Sequence, residues 1–391
     1  KSKYLLCESE FHHLIGRWNL EIYFRLTLIA SPYISQRVNN IIKLVLVSIV
    51  LIGLILQKTI KRAFERIISI CVLFIVMCFC TYHAMGFGSR FMNAVVTGGT
   101  YFCFYYTISN YAIKYGIEYV GKIIKSNLMT YMIILDIFVI VTWGRGLGGL
   151  DEAVYLIGNK FMVSYIHMFM LAFINLENKS KRIGLYLINM FAFFCYSCVL
   201  CLISDTTTGI VGLIFVLVVS IASVKSQIIL DIMRRPIVMI IFFLGINAAF
   251  LLTDSFINNS TISAFFYSRS HTNTMLSGRI VMYKISMDAI SKNPIWGYGI
   301  NCELISDTLG FGNPQNGILK MLLDYGIVGT VFFCLTLYTT FRNAIGDCFI
   351  KIKDDCIIFI YAMMICSLVE INLAGIFMLT CALLNSTETY D

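Results

Sequence analysis

Eleven mostly apolar runs dominate this chain, each close to the length of a membrane-crossing helix: 38–57, 67–86, 92–113, 127–144, 160–176, 183–203, 207–224, 236–253, 326–342, 356–371 and 372–386. About 20 apolar residues in a helix cross the ~30 Å hydrocarbon layer of a bilayer. Backbone there must satisfy its own hydrogen bonds, and no alternating strand pattern competes with the helical one. The expected fold is therefore an all-α polytopic transmembrane helix bundle of about 11–12 spans. Composition agrees, with 58% hydrophobic residues against roughly 45–50% in soluble domains. No internal repeat or low-complexity linker divides the chain, so residues 1–391 read as a single integral membrane domain. The segment Leu20–Ile34 is interrupted by Glu21 and Arg25, an i,i+4 pair. It stands open between a further span and an interfacial helix. The chain opens at Lys1 without a secretory-signal pattern, which leaves a preceding segment open.

Lys and Arg are distributed unequally between alternate loops. One set carries Lys58, Lys61, Arg62 and Arg66; Lys114, Lys122 and Lys125; Lys179, Lys181 and Arg182; Lys225, Arg234 and Arg235; and Arg342, Lys351 and Lys353. The other set carries seven cations against those sixteen. The positive-inside rule makes the first set cytoplasmic. It also explains most of the +8 net charge without nucleic acid as a partner. Of the fourteen cysteines, those at Cys195, Cys198 and Cys201 form C-x-x-C spacings inside an apolar run, where they read as small packing residues.

One polar segment, 254–317, interrupts the apolar pattern and is expected as an extracytoplasmic loop with short helices. From Ser255 to Met287 it has no Asp or Glu, while Arg269, Arg279 and Lys284 lie within it and His271 is close by. A one-sign stretch of this kind suits an anionic ligand, or equally a headgroup-facing surface. Ser277 reads as an N-cap, with Ile280, Tyr283, Met287 and Ile290 as an apolar stripe and Asn293–Pro294 as the stop. Arg279 then opposes the helix dipole, which favours retention for an anion over helix stability. Asn313–Pro314 reads as a second helix start, continuing through Gln315 and Asn316 to Tyr325, with Gly326 as its end. Free amides at such a terminus bind phosphate. Trp296 and Tyr298, set among Gly297 and Gly299, fit a sugar surface or an interfacial anchor. Arg145 and Lys160 add two cations on the same face, and Ser204–Gly209 forms a hydroxyl-rich turn. His83 and His167 stand alone in apolar runs and read as packing residues.

The order of these pieces resembles the O-antigen polymerase and ligase superfamily of bacterial envelope glycosyltransferases. The matching residues are Thr206-Thr207-Thr208-Gly209, Arg279, Asn293 to Gly299, Gln315-Asn316 and Asp324 to Gly329. The resemblance implies glycosyl transfer from an undecaprenyl-diphosphate-linked oligosaccharide on the outer face. Arg145, Arg269 and Arg279 would hold the diphosphate, with Lys160 in support. Tyr283, Trp296, Tyr298, Gln315 and Asn316 would contact substrate. Ligases of the superfamily carry His where this chain has Gln315, and glutamine cannot take a proton at neutral pH. His271 or Asp324 would serve as base instead, unless the leaving group makes a strong base unnecessary. That departure favours a repeat-unit polymerase over a ligase. A flippase or other transporter is the alternative of a different class, although charges within spans are confined mainly to Asp136 and Glu370. Expected partners are membrane lipid, a flippase and a chain-length regulator, with no metal or cofactor.

Overall fold

The computed structural model describes residues 36–56, 60–146, 155, 158–175, 183–257, 275–302, 304, 314–345 and 351–387. The segment 20–34 lies outside them. Among the described residues there are helices and no strands: α1 (Gln36–Leu56), α2 (Ile60–Met85), α3 (Ser89–Tyr115), α4 (Ile117–Thr142), α5 (Lys160–Ala172), α6 (Ile183–Ile203), α7 (Thr207–Lys225), α8 (Ile228–Met233), α9 (Pro236–Ile257), α10 (Met275–Lys292), α11 (Gly317–Ile345), α12 (Lys351–Cys366) and α13 (Ile376–Asn385). Each expected span coincides with one of these, and α8 and α10 are additional. By length and apolarity, five helices can cross a membrane: the stretches Arg66–Met85, Ile117–Thr142, Gly184–Ile203, Thr207–Lys225 and Gly317–Ile345. Four more, including α5 and α13, are apolar but shorter. The molecule is a multi-pass membrane protein.

The helices that coincide with expected spans alternate in direction, so their connections gather at two ends. Arg66, Lys114, Lys122, Lys225 and Arg234 share one, the basic end. There Arg234 Nη2 lies 2.6 Å from Asp354 Oδ1 and its Nη1 lies 2.8 Å from Asp231 Oδ1. The connections α2–α3, α4–α5, α6–α7 and α12–α13 share the opposite, loop end. α3 is at the centre, packed by α1, α2, α4 and α13, while α5, α7 and α12 form a second group. Its polar and small residues (Thr97, Gly98, Gly99, Thr100) suit a helix that faces protein rather than lipid.

Two helices depart from the expected pattern. α12 was expected to run to residue 371, with α13 following directly; instead 367–375 is non-helical, and Glu370 and Asn372 are buried in it. Glu370 is therefore on a connection, not within a span. α13 has only 10 residues, about 15 Å of helix, so that connection is recessed into the bundle. Ring contact between Phe377 and Phe333, 6.3 Å apart, places the start of α13 beside the second turn of α11 past Gly326. α11 departs differently. Gly326 does not end it but kinks it, at φ +63°, and helix continues to Ile345.

Candidate functional site

The kink at Gly326 and the turn after α10 are built from each other. In a regular helix the amides of Ile327 and Val328 would donate to Leu323 and Asp324. Here they donate to Pro294 O (2.8 Å) and Ile295 O (3.2 Å). The carbonyls they leave accept from Tyr298 N (2.7 Å) and Gly299 N (2.9 Å). Four helical partners are thus exchanged for four cross-chain ones, and no backbone group is orphaned. Glycine is needed at both contact points. A Cβ on Gly326 would sit 2.2 Å from Ile295 O, and one on Gly297 would sit 2.6 Å from Gly326 N. Both residues have positive φ. Asn293 Nδ2 closes the turn by donating to Gly297 O. The N-P-x-x-G-x-G and D-x-G-x-x-G motifs are the two halves of this lock.

Beside it lies a cavity of about 220 Å³ between α2, α3, α11 and the recessed connection, lined in part by Tyr101, Asn301, Lys320, Asp324, Tyr325 and Leu373. Lys320 Nζ lies 2.7 Å from Asp324 Oδ1, and the backbone amides of Asn301 and Cys302 also donate to that carboxylate. Three donors fix Asp324, which leaves Lys320 as the cationic group on the cavity wall. Burial raises the Cys302 thiol above its ordinary value, so it is a poor nucleophile.

A second group joins α9, α10, α11 and the recessed connection. Asn316 is fully buried, and its Nδ2 donates to Leu368 O (2.9 Å) and Asn247 Oδ1 (3.2 Å). Its Oδ1 accepts from Leu319 N at 2.9 Å, which makes Asn316 the N-cap of α11. The start expected at Asn313–Pro314 is corrected to this position: Gln315 has φ +47°, a left-handed conformation that cannot lie within a right-handed helix. The Gly317 amide donates to Ser367 O, so two of the first amides of α11 are already used within the protein. Tyr283 Oη reaches Leu368 O at 3.3 Å, which brings Tyr283 and Asn316 together on one carbonyl.

α10 begins at Met275, two residues before the expected cap at Ser277, and stops at Lys292 before Asn293–Pro294 as expected. Tyr283 and Ile290 are buried against Leu319 and Leu323, but Met287 is exposed and Ser286 takes the inward position. Arg279 falls early in this helix, and only its backbone is described. Arg269 and His271 lie outside the described residues. The two aromatics of the turn have structural contacts. Trp296 packs on Phe79 (5.1 Å) and His83 (5.6 Å), and Tyr298 Oη donates to Ala289 O (2.8 Å).

The remaining candidates form a third group on the far side of α7. Gly144 approaches so closely that a Cβ would lie 1.8 Å from Ile203 O, which sets the exposed Arg145 beside the α6–α7 turn. Lys160 Nζ lies 3.4 Å from Asp205 Oδ2 in that turn. The hydroxyl-rich turn opens α7 at Thr207, as its sequence suggested. Thr208 O accepts a weak bond from Cys366 Sγ at 3.6 Å, the contact that ties this group to the recessed connection. No contact among the described residues joins Arg145 to Asp324.

Sequence reasoning missed the recessed connection, Lys320, Asn301, Tyr101 and Asn247. Its signal was present in Ser367, Glu370, Asn372 and Gly375, polar and small residues inside an apolar stretch. Among the described residues, no group of three or more His, Cys, Asp and Glu side chains could hold a metal ion.

Broken helices, a recessed polar connection and a cationic loop end define a membrane protein with a polar site opening at one end of its bundle. Residues 191–334 match the family model described as O-Antigen ligase. Over that segment the chain is similar to the O-antigen polymerase and ligase superfamily, whose members are membrane glycosyltransferase-like enzymes. The segment contains the Thr206–Gly209 turn, α10 and both halves of the lock; Arg145, Lys160 and the recessed connection lie beyond it. No curated protein matches the chain significantly.

Proposed function

We propose that this protein polymerises undecaprenyl-diphosphate-linked oligosaccharide repeat units into a capsular, exo- or O-antigen polysaccharide. The reaction takes place on the outer face of the bacterial plasma membrane. The observation that supports this reading is the lock between 293–299 and 323–328, which joins the turn after the Arg279-bearing α10 to the helix whose Lys320 and Asp324 wall the cavity. Anionic leaving groups need such cations: a diphosphate departs with its negative charge, and prepositioned donors stabilise that charge as the anomeric bond breaks.

In this scheme Arg279, Arg269 and Arg145 hold the diphosphate by charge-assisted bonds. Lys160 joins them only by exchanging its contact with Asp205, which is itself largely exposed. His271 or Asp324 receives the proton of the acceptor hydroxyl. Tyr283, Trp296, Tyr298, Gln315 and Asn316 shape the site around the sugars, through backbone positioning in the case of Asn316 and Tyr298. A flippase supplies the substrate and a chain-length regulator acts on the product.

The ligase reading has the description of the matched family in its favour. Gln315 weighs against it, because that position cannot supply a base. The test is the glycan profile of cells carrying Arg279→Ala at normal membrane levels. Polymerisation predicts loss of the high-molecular-weight ladder and accumulation of single lipid-linked repeats outside. A full ladder retained on the lipid carrier would identify a ligase. Repeats trapped on the cytoplasmic face would identify a flippase, and an unchanged profile would remove Arg279 from the mechanism.

A further inference from the structure

A second cavity, of about 420 Å³, lies toward the basic end between α4, α5 and α6. Lys122 and Lys125 line it at one end, and Met129, Met132, Met170 and Phe193 line the rest, Met129 at its exposed rim. The lysines are i,i+3, and Met129 and Met132 continue the same face at i+7 and i+10 from Lys122. Ten residues of helix separate Lys122 from Met132, about 15 Å of groove. Phe193 closes the inner end, stacked on the buried His167 at 5.9 Å.

The charges at the lysine end are unspent. Among the described residues, neither lysine makes an ion pair or a side-chain hydrogen bond. Arg234 at the same end is used fully, on Asp231 and Asp354. Lys122 is exposed and Lys125 half-buried, at the depth where a long side chain lifts its ammonium to the interface while its stem covers apolar surface. Snorkelling accounts for the lysines but not for an open groove directly beneath them. Soluble anions would leave the methionine wall uncovered, and a neutral apolar helix would leave the lysines unpaired.

We propose that this groove binds one anionic phospholipid, its phosphate between Lys122 and Lys125 and an acyl chain along the methionine wall. Basic pockets between membrane helices recognise lipid headgroups by this combination of charge and apolar depth. Methionine suits such a wall, because its flexible thioether adapts to a mobile chain. The site is separate from the loop-end groups and does not depend on the reaction performed there.

The test is native mass spectrometry of the full chain, delipidated in detergent and titrated with phosphatidylglycerol or phosphatidylcholine. The native protein retains phosphatidylglycerol preferentially, and Lys122→Gln/Lys125→Gln lowers that apparent affinity by about fivefold per lysine. Lys225→Gln/Arg235→Gln, which removes the same charge elsewhere at this end, leaves it unchanged. Ile174→Trp, which fills the groove, lowers retention of either lipid. Excess inorganic phosphate does not displace the lipid. The proposal is overturned by equal retention of the two lipids, by an unchanged double lysine variant, or by displacement with free phosphate. Displacement of phosphatidylglycerol by equimolar polyprenyl phosphate would likewise overturn it, in favour of the carrier lipid.

Discussion

Asn316 has its two side-chain functions divided between two tasks: the carbonyl oxygen caps α11, and the amide ties that cap to Leu368 and Asn247. Asn316→Ala removes the cap and strands buried acceptors, at a cost of about 1–3 kcal/mol. The melting temperature of the purified protein should fall accordingly, and Asn316→Asp, which keeps the cap but loses the amide donor, should fall less or differently. A similar economy operates where α4, α5 and α6 meet. His167 Nδ1 faces Val163 O at 2.7 Å; a carbonyl can only accept, so this nitrogen carries the proton. Nε2 then carries a lone pair and makes no hydrogen bond to Asp136 Oδ1, 3.5 Å away, while Tyr196 Oη donates to Asp136 Oδ2 at 2.7 Å. Tyr196→Phe should destabilise the bundle by about 1–3 kcal/mol, read as a lower melting temperature, because it leaves a buried carboxylate oxygen without its donor. Read along the chain, His167 stood alone. Asp136, His167 and Tyr196 sit on three different helices, and nothing in their local sequence registers the meeting.

At the scale of elements, the two glycine motifs were legible as turn signals, but their relation was not. Gly326 read as a helix stop because glycine usually terminates a helix where no outside partner replaces the lost bonds. The chain between 294 and 299 is that partner, and it lets α11 kink and continue. Gly326→Ala and Gly297→Ala should each destabilise by more than about 1 kcal/mol, since both force a side chain into backbone at positive φ. Gly184→Ala, whose Cβ would meet nothing within 4 Å, is the control and should be neutral or slightly stabilising. Melting temperatures of the three variants check this. The interruption at 367–375 escaped the hydropathy pattern for a related reason: α12 and α13 are both almost wholly buried, so apolarity continues across the break. Only Ser367, Glu370, Asn372 and Gly375 mark it, and single polar residues also occur within intact membrane helices.

At the scale of the whole molecule, the cation bias predicts that the basic end faces the cytoplasm. Reporter fusions test it directly. Alkaline phosphatase joined after Gly146 should be active, and green fluorescent protein joined after Ser226 should fluoresce. The reverse pattern would invert the molecule and move the cationic loop end inside. What the sequence determined by itself was the order of the apolar helices, the excess of cations in alternate connections and the presence of two glycine turns. These follow from hydrocarbon thickness, local backbone preference and charge, which each act over twenty residues or fewer. The tertiary structure alone decided which distant polar groups meet: Asp324 with the Asn301 turn, Asn316 with Leu368, Lys160 with Asp205, Tyr196 with Asp136. Those meetings join residues 23 to 60 positions apart. Their register comes from helix packing in three dimensions, and that packing leaves no periodicity for a one-dimensional reading to detect.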